Sequence, residues 1–123
     1  MKIATIIARV LLGLVFVVFG SNAFLHFIPM QPMPGPGGAF IGAMADTGYL
    51  YVVASCQVLG GLSLLIGRYI PLGLTLLGPV IVNILCFHIF MDHSGLHIAL
   101  VVAAFALFLL WRHRANFAGL LKS

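Results

Sequence analysis

The chain reads as an all-α integral membrane protein, an antiparallel four-helix bundle with both termini on the cytoplasmic side. Three observations predict this. Four long apolar runs divide its 123 residues. Hydrophobic residues make up 63% of the chain and charged residues only 7%, too little charge for a water-facing surface, so lipid must cover much of the exterior. The six Lys and Arg also segregate: Lys2 and Arg9 open the first run, Arg68 lies in the gap between the second and third, and Arg112, Arg114 and Lys122 follow the fourth. The other two gaps carry only Asp46 and Asp92. Short cationic loops resist translocation, so the basic flanks belong to the cytoplasm. The net charge of +4 is then an orientation signal, and no basic stripe with interleaved aromatics points to nucleic acid.

The whole span 1–123 forms one transmembrane domain. Segment one, about 3–27, is long enough to cross a hydrocarbon layer of ~30 Å at ~1.5 Å per residue. Its start imitates a signal peptide, with Lys2, Arg9 and Ser21-Asn22-Ala23 around an apolar core. The apolar character continues through Phe24, Leu25, Phe27 and Ile28, which favours a retained spanning helix. Arg9 is expected to snorkel to the headgroups. An outer loop, 29–48, follows. Its prolines and glycines, Pro29 to Gly38, break any helix, while 39–45 suits a short interfacial turn or helix folding back as a lid.

Segment two, about 49–67, opens on the interfacial aromatics Tyr49 and Tyr51. Arg68-Tyr69-Ile70-Pro71 is a tight cytoplasmic turn. Segment three, about 72–91, contains Pro79, which frees the Thr75 carbonyl and bends the helix. Segment four, about 94–111, starts at Ser94 as N-cap and closes on Trp111 at the cytoplasmic interface. Short connections make successive helices antiparallel neighbours. Gly13, Gly20, Gly60, Ser63 and Gly67 supply small faces for close helix contact, and one exposed small face would also allow a homodimer.

Polar side chains within the runs gather towards the non-cytoplasmic half: Asn22 and His26 on segment one, Gln57 on segment two, Asn83 and His88 on segment three, and His97 on segment four. Facing hydrocarbon is costly for such groups, so they are expected to turn inward as a ligand-binding cluster. Interhelical hydrogen bonding is the structural alternative, and Asn83 has a local one in relieving Pro79. His26, His88 and His97 suit metal ligation chemically, but His93 and His97 lack a zinc signature, and no metal site is assigned. Cys56 and Cys86 form no Cys-x-x-Cys pair and read as small buried hydrophobes. Asp46 and Asp92 fit loop capping, with orientation of a neighbouring His as the alternative. Arg9, Arg112 and Arg114 read as anchors against anionic lipid.

The stretch Ala8-Arg9-Val10-Leu11-Leu12-Gly13-Leu14-Val15-Phe16 with Phe19-Gly20-Ser21-Asn22 resembles the first helix of the DoxX family. Gln57-Val58-Leu59-Gly60-Gly61-Leu62 with Arg68, and Pro79-Val80-Ile81-Val82-Asn83-Ile84-Leu85 with Phe87-His88, resemble its second and third helices. The resemblance covers nearly the whole chain. It implies a small multi-pass protein of the bacterial inner membrane, associated with oxidoreductase partner subunits. It carries over no catalytic motif, and the chain has no cofactor fingerprint and no acidic proton relay in the membrane. The leading expectation is a subunit supporting membrane electron transfer or redox homeostasis. A quinone would bind in the outer half, with His26 or His88 hydrogen bonding to it and Asn22, Gln57 or Asn83 positioning it. A non-enzymatic small-ligand binding or transport module and a membrane scaffold for partner proteins are the alternatives.

Overall fold

Each apolar run becomes a helix, ended by a local feature of the chain. The computed structural model describes residues 2–27 and 33–121. Ile28, the first part of the expected helix breaker (Pro29, Met30, Gln31 and Pro32) and the basic flank residue Lys122 lie outside the described residues. Helix α1 runs Lys2–Leu25. It stops two residues short of the expected 27 because His26 turns left-handed, with φ 53°, and its N–H donates to the Asn22 carbonyl at 2.8 Å. Helix α2, Gly35–Thr47, corrects the expectation of a short element at 39–45. Pro36 falls in its first turn, where a missing N–H costs no helical bond, so the Pro/Gly-rich stretch starts this helix from Gly35 onward. Gly48, at φ 79°, ends it.

Helix α3 spans Tyr49–Ile66. Gly67 closes it at φ 81°, and the N–H groups of Gly67 and Arg68 both reach the Ser63 carbonyl, at 3.0 and 3.3 Å. Helix α4, Ile70–Phe90, begins two residues before the expected 72, with Pro71 tolerated in its first turn. The expected cap at Ser94 is displaced. Asp92 caps a 3-10 turn, His93–Gly95, by accepting from the Ser94 N–H, and helix α5 follows as Leu96–Arg112. A short helix α6, Arg114–Phe117, and a 3-10 turn, Ala118–Leu121, end the described residues.

The long helices close into a ring in the order α1, α3, α4, α5, with α1–α3 the most extensive contact and α1–α5 the least, and α2 lies against α3. Neighbours run antiparallel: Gly13 of α1 faces Gly61 of α3, while Gly20 faces Ala54. A methyl at Gly13 would stand 2.8 Å from the Gly61 carbonyl oxygen, and one at Gly61 would stand 2.9 Å from that of Gly13. The two backbones touch because neither residue has a side chain, the route to helix association where lipid offers no hydrophobic drive. In the α4–α5 hairpin the His88 ring fills the space beside Gly95.

All four long helices are long and apolar enough to cross a membrane, and large side chains such as Ile66, Leu107 and Phe90 point outward. Three hydroxyls of α3 and α4 bond their own backbone four residues back. Ser55 donates to the Tyr51 carbonyl (2.7 Å), Ser63 to Leu59 (3.0 Å) and Thr75 to Pro71 (2.8 Å). This leaves their polar atoms satisfied without an interhelical partner. The protein is therefore a helical membrane bundle, with every described Lys and Arg at one end and Asp46 and Asp92 at the other.

Candidate functional site

The bundle axis is not filled evenly. In the half nearer the basic end, Leu12, Phe16, Leu64, Leu77 and Leu109 are fully buried and meet in a tight aliphatic core. In the other half a cavity of about 300 Å³ remains, at the low end of the ~300–1,000 Å³ usual for small-molecule sites. Its walls are apolar side chains of α1, α4 and α5, among them Phe16, Phe19, Ile84 and Ile98, and its polar side chains are Gln57 and His88.

Helical spacing explains why these two residues point in. The buried positions Ala54, Gly61 and Leu64 of α3 step by seven and three residues, and Gln57 falls between the first two on the same stripe. On α4, Leu74, Leu77 and Ile81 are buried, and Ile84 and His88 continue the alternating three and four. Asn83 lies about a third of a turn off that stripe. It is exposed, and its amide donates to the Pro79 carbonyl of its own helix at 2.8 Å. The carbonyl it serves is that of Pro79, not the Thr75 carbonyl freed by the proline ring.

The expected six-residue cluster is thus resolved into parts. Gln57 and His88 share the cavity. Asn22 is buried and hydrogen-bonded or otherwise partnered, but it does not line the cavity. His26 is exposed because it terminates α1, and His97 is exposed on the outward side of α5. Among the described residues no three His, Cys, Asp or Glu come close enough to hold a metal ion. Cys86 is exposed and Cys56 only partly buried, which corrects the expectation that both are buried thiols.

His88 is held on several sides. Its Nδ1 lies 3.0 Å from the Asp92 carbonyl oxygen, an acceptor, so Nδ1 carries the proton in this bond. The ring lies against Gly95, and both residues line the cavity. Phe87 meets the imidazole edge-on at 5.1 Å, and Phe40 of α2 meets Phe87 at 5.8 Å. Gly37, buried in α2, also lies 3.4 Å from Phe87 by its missing methyl. The chain of rings joins the site to α2. Outside the membrane-spanning helices, the Ser94 hydroxyl and N–H hold the Asp92 carboxyl below the ordinary carboxylate range, helped by the nearby charges of His88 and His93.

Two exposed residues, Phe19 of α1 and Ile98 of α5, also line the cavity. They mark a lateral mouth between α1 and α5, the most sparsely packed neighbours in the ring. A site built this way is open to the hydrocarbon and closed towards the basic end. The class it defines is a helical membrane bundle with a laterally open cavity. No protein-family model, curated protein or solved structure matches the chain.

One further polar residue stands on an inner stripe. Arg9 belongs to the stripe Thr5, Arg9, Leu12, Phe16, spaced four, three and four along α1. Its guanidinium occupies the space beside Gly67, the residue that ends α3 at the basic end, and its Nε is buried without a hydrogen-bond partner.

Proposed function

We propose that the protein is a membrane subunit that binds a quinone-type headgroup in the cavity at Gln57 and His88 and so supports electron transfer by oxidoreductase partner subunits. The observation that carries this reading is the lateral mouth at Phe19 and Ile98 leading to a ring-sized apolar cavity with two polar groups. A lipid-soluble ring could enter from the bilayer while its tail stays in hydrocarbon. The likeness to DoxX proteins in the first three spanning helices points the same way, to a bacterial inner membrane.

The residues have complementary roles. Phe16, Phe19 and Ile84 exclude water and give the ring apolar contact. The Gln57 amide offers both a donor and an acceptor. His88, with Nδ1 committed to the Asp92 carbonyl, presents Nε2 as an acceptor when neutral and as a donor when protonated. Neutral His88 suits a quinol hydroxyl, and protonated His88 suits a quinone carbonyl. A quinone would supply the two-electron chemistry; the protein supplies orientation and, at His88 Nε2, a group able to give or take a proton.

Purified protein in lipid nanodiscs should bind a short-tailed ubiquinone analogue saturably. His88→Ala and Gln57→Leu should each weaken binding about tenfold, the effect of losing one hydrogen bond worth ~1.4 kcal/mol. Cys56→Ala and His97→Ala should leave it unchanged. Absence of saturable binding by the wild-type protein would remove the proposal. The aliphatic plug between the cavity and the basic end weighs against the transport reading, which needs a path through the bundle. A scaffold role would instead leave partner capture intact in both cavity variants.

A further inference from the structure

We infer that Arg9, with Arg112 beside it, forms a second ligand site at the basic end of the bundle, built for a phosphate group. The guanidinium of Arg9 stands on the inward stripe of α1, one turn from Thr5 and three residues before the buried Leu12. Residues four apart on a helix are surface neighbours, so Thr5 and Arg9 share one face. Arg112 reaches that face from α5, where its Nε donates to the Thr5 hydroxyl at 3.1 Å. Arg112 thus reaches, from α5, the residue one turn before Arg9 on α1.

Among the described residues no anionic side chain stands at the site. The chain's only Asp and Glu side chains are Asp46 and Asp92, in α2 and in the α4–α5 turn, both at the opposite end. No hydrogen bond from Arg9 to any described residue is formed, and its Nε is sealed from solvent. Gly67 leaves room for the guanidinium at the C-terminus of α3, where the helix dipole supplies roughly half a negative charge. That field favours a cation there but fills none of the five N–H donors of Arg. A partly buried guanidinium without an acceptor is destabilising. A phosphate accepts two parallel N–H bonds from an Arg fork, a geometry that Lys cannot supply. A phosphodiester in an anionic lipid headgroup and a free phosphate share this chemistry.

General attraction of basic residues to an anionic surface makes a different prediction, because it depends on charge and treats Arg9, Arg68 and Lys alike. Thermal unfolding of the full chain in neutral, phosphate-free detergent separates the two. Phosphatidylglycerol, diacylglycerol and inorganic phosphate are titrated separately. A saturable rise in melting temperature with phosphatidylglycerol alone assigns a lipid headgroup, and a rise with inorganic phosphate as well assigns a freely exchanging anion. Arg9→Gln and Arg9→Lys should each weaken the response about tenfold, the loss of one charge-assisted hydrogen bond, while Arg68→Gln at an exposed position leaves it intact. Arg9→Met should melt at or above the wild type before any addition, since it removes an unsatisfied charge. A wild-type protein that never responds, equal losses in the Arg9 and Arg68 variants, full activity of Arg9→Lys, or a folded Arg9→Met protein melting well below the wild type would each overturn the site.

Discussion

Gly67 carries more than one constraint in a single residue. It sits at φ 81°, where a non-glycine residue is strained by about 1–3 kcal/mol, and Arg9 occupies the space a methyl would need. Gly67→Ala should therefore lower stability by more than the strain alone, and by less when Arg9 is already Met. Non-additive melting shifts in that double-mutant cycle are the check. Gly78→Ala is the contrast: nothing lies within 4 Å of its added methyl, so the helix should gain roughly 0.5–1 kcal/mol. Asp92 makes a pH prediction. Its carboxyl is held low in the folded protein by Ser94, so it contributes stability above the ordinary carboxylate pKa. That stability is lost as pH falls through the lowered, folded value. Melting temperatures of wild type and Asp92→Ala should differ at neutral pH and converge in acid; a gap that persists in acid would refute the role. The capping use of Asp92 was legible in the sequence. The αL conformation of His26 was not, because a histidine carries no local signal that it will end a helix.

At the scale of the element, periodicity decides what a residue does. The four spans and their order follow from apolar length alone, and their ends fall within two residues of expectation. Facing does not follow from composition. Asn83 and His88 are both polar residues of one helix, yet only His88 continues the three-and-four spacing of Leu74, Leu77, Ile81 and Ile84. Reading polar residues by depth groups six candidates; reading them by stripe leaves Gln57 and His88 in the cavity. The α1–α3 pair tests the stripe argument directly. Gly61→Ala places a methyl 2.9 Å from the Gly13 carbonyl oxygen and the same distance from a Val17 methyl, so the helices must separate. Overpacking of this kind costs about 1–3 kcal/mol. Gly42→Ala, in the open face of α2, should cost nothing. Equal melting temperatures for the two variants would mean that the backbones are not in contact there.

At the scale of the molecule, the two proposed sites occupy opposite ends of one closed ring. The aliphatic core around Leu12, Leu64, Leu77 and Leu109 keeps them apart, so the cavity opens to one leaflet and the Arg9 site to the other. Which leaflet is which rests on the segregation of charge. A cationic short loop is retained on the cytoplasmic side, and Trp111 stacks under Arg114, with ring and guanidinium 4.8 Å apart, as an interfacial aromatic does. The cavity then faces the extracytoplasmic half. A chain with Cys56 and Cys86 replaced by Ala, carrying Thr47→Cys at the exposed end of α2, should react with a membrane-impermeant maleimide in intact spheroplasts. Tyr69→Cys, exposed in the α3–α4 turn and chosen because it leaves every charge in place, should react only after permeabilisation. The opposite pattern would invert the bundle, move the cavity at Gln57 and His88 to the cytoplasmic leaflet, and deny Arg9 the anionic inner surface. Labelling of both positions in intact spheroplasts would instead indicate two orientations, and with them a charge bias too weak to fix one.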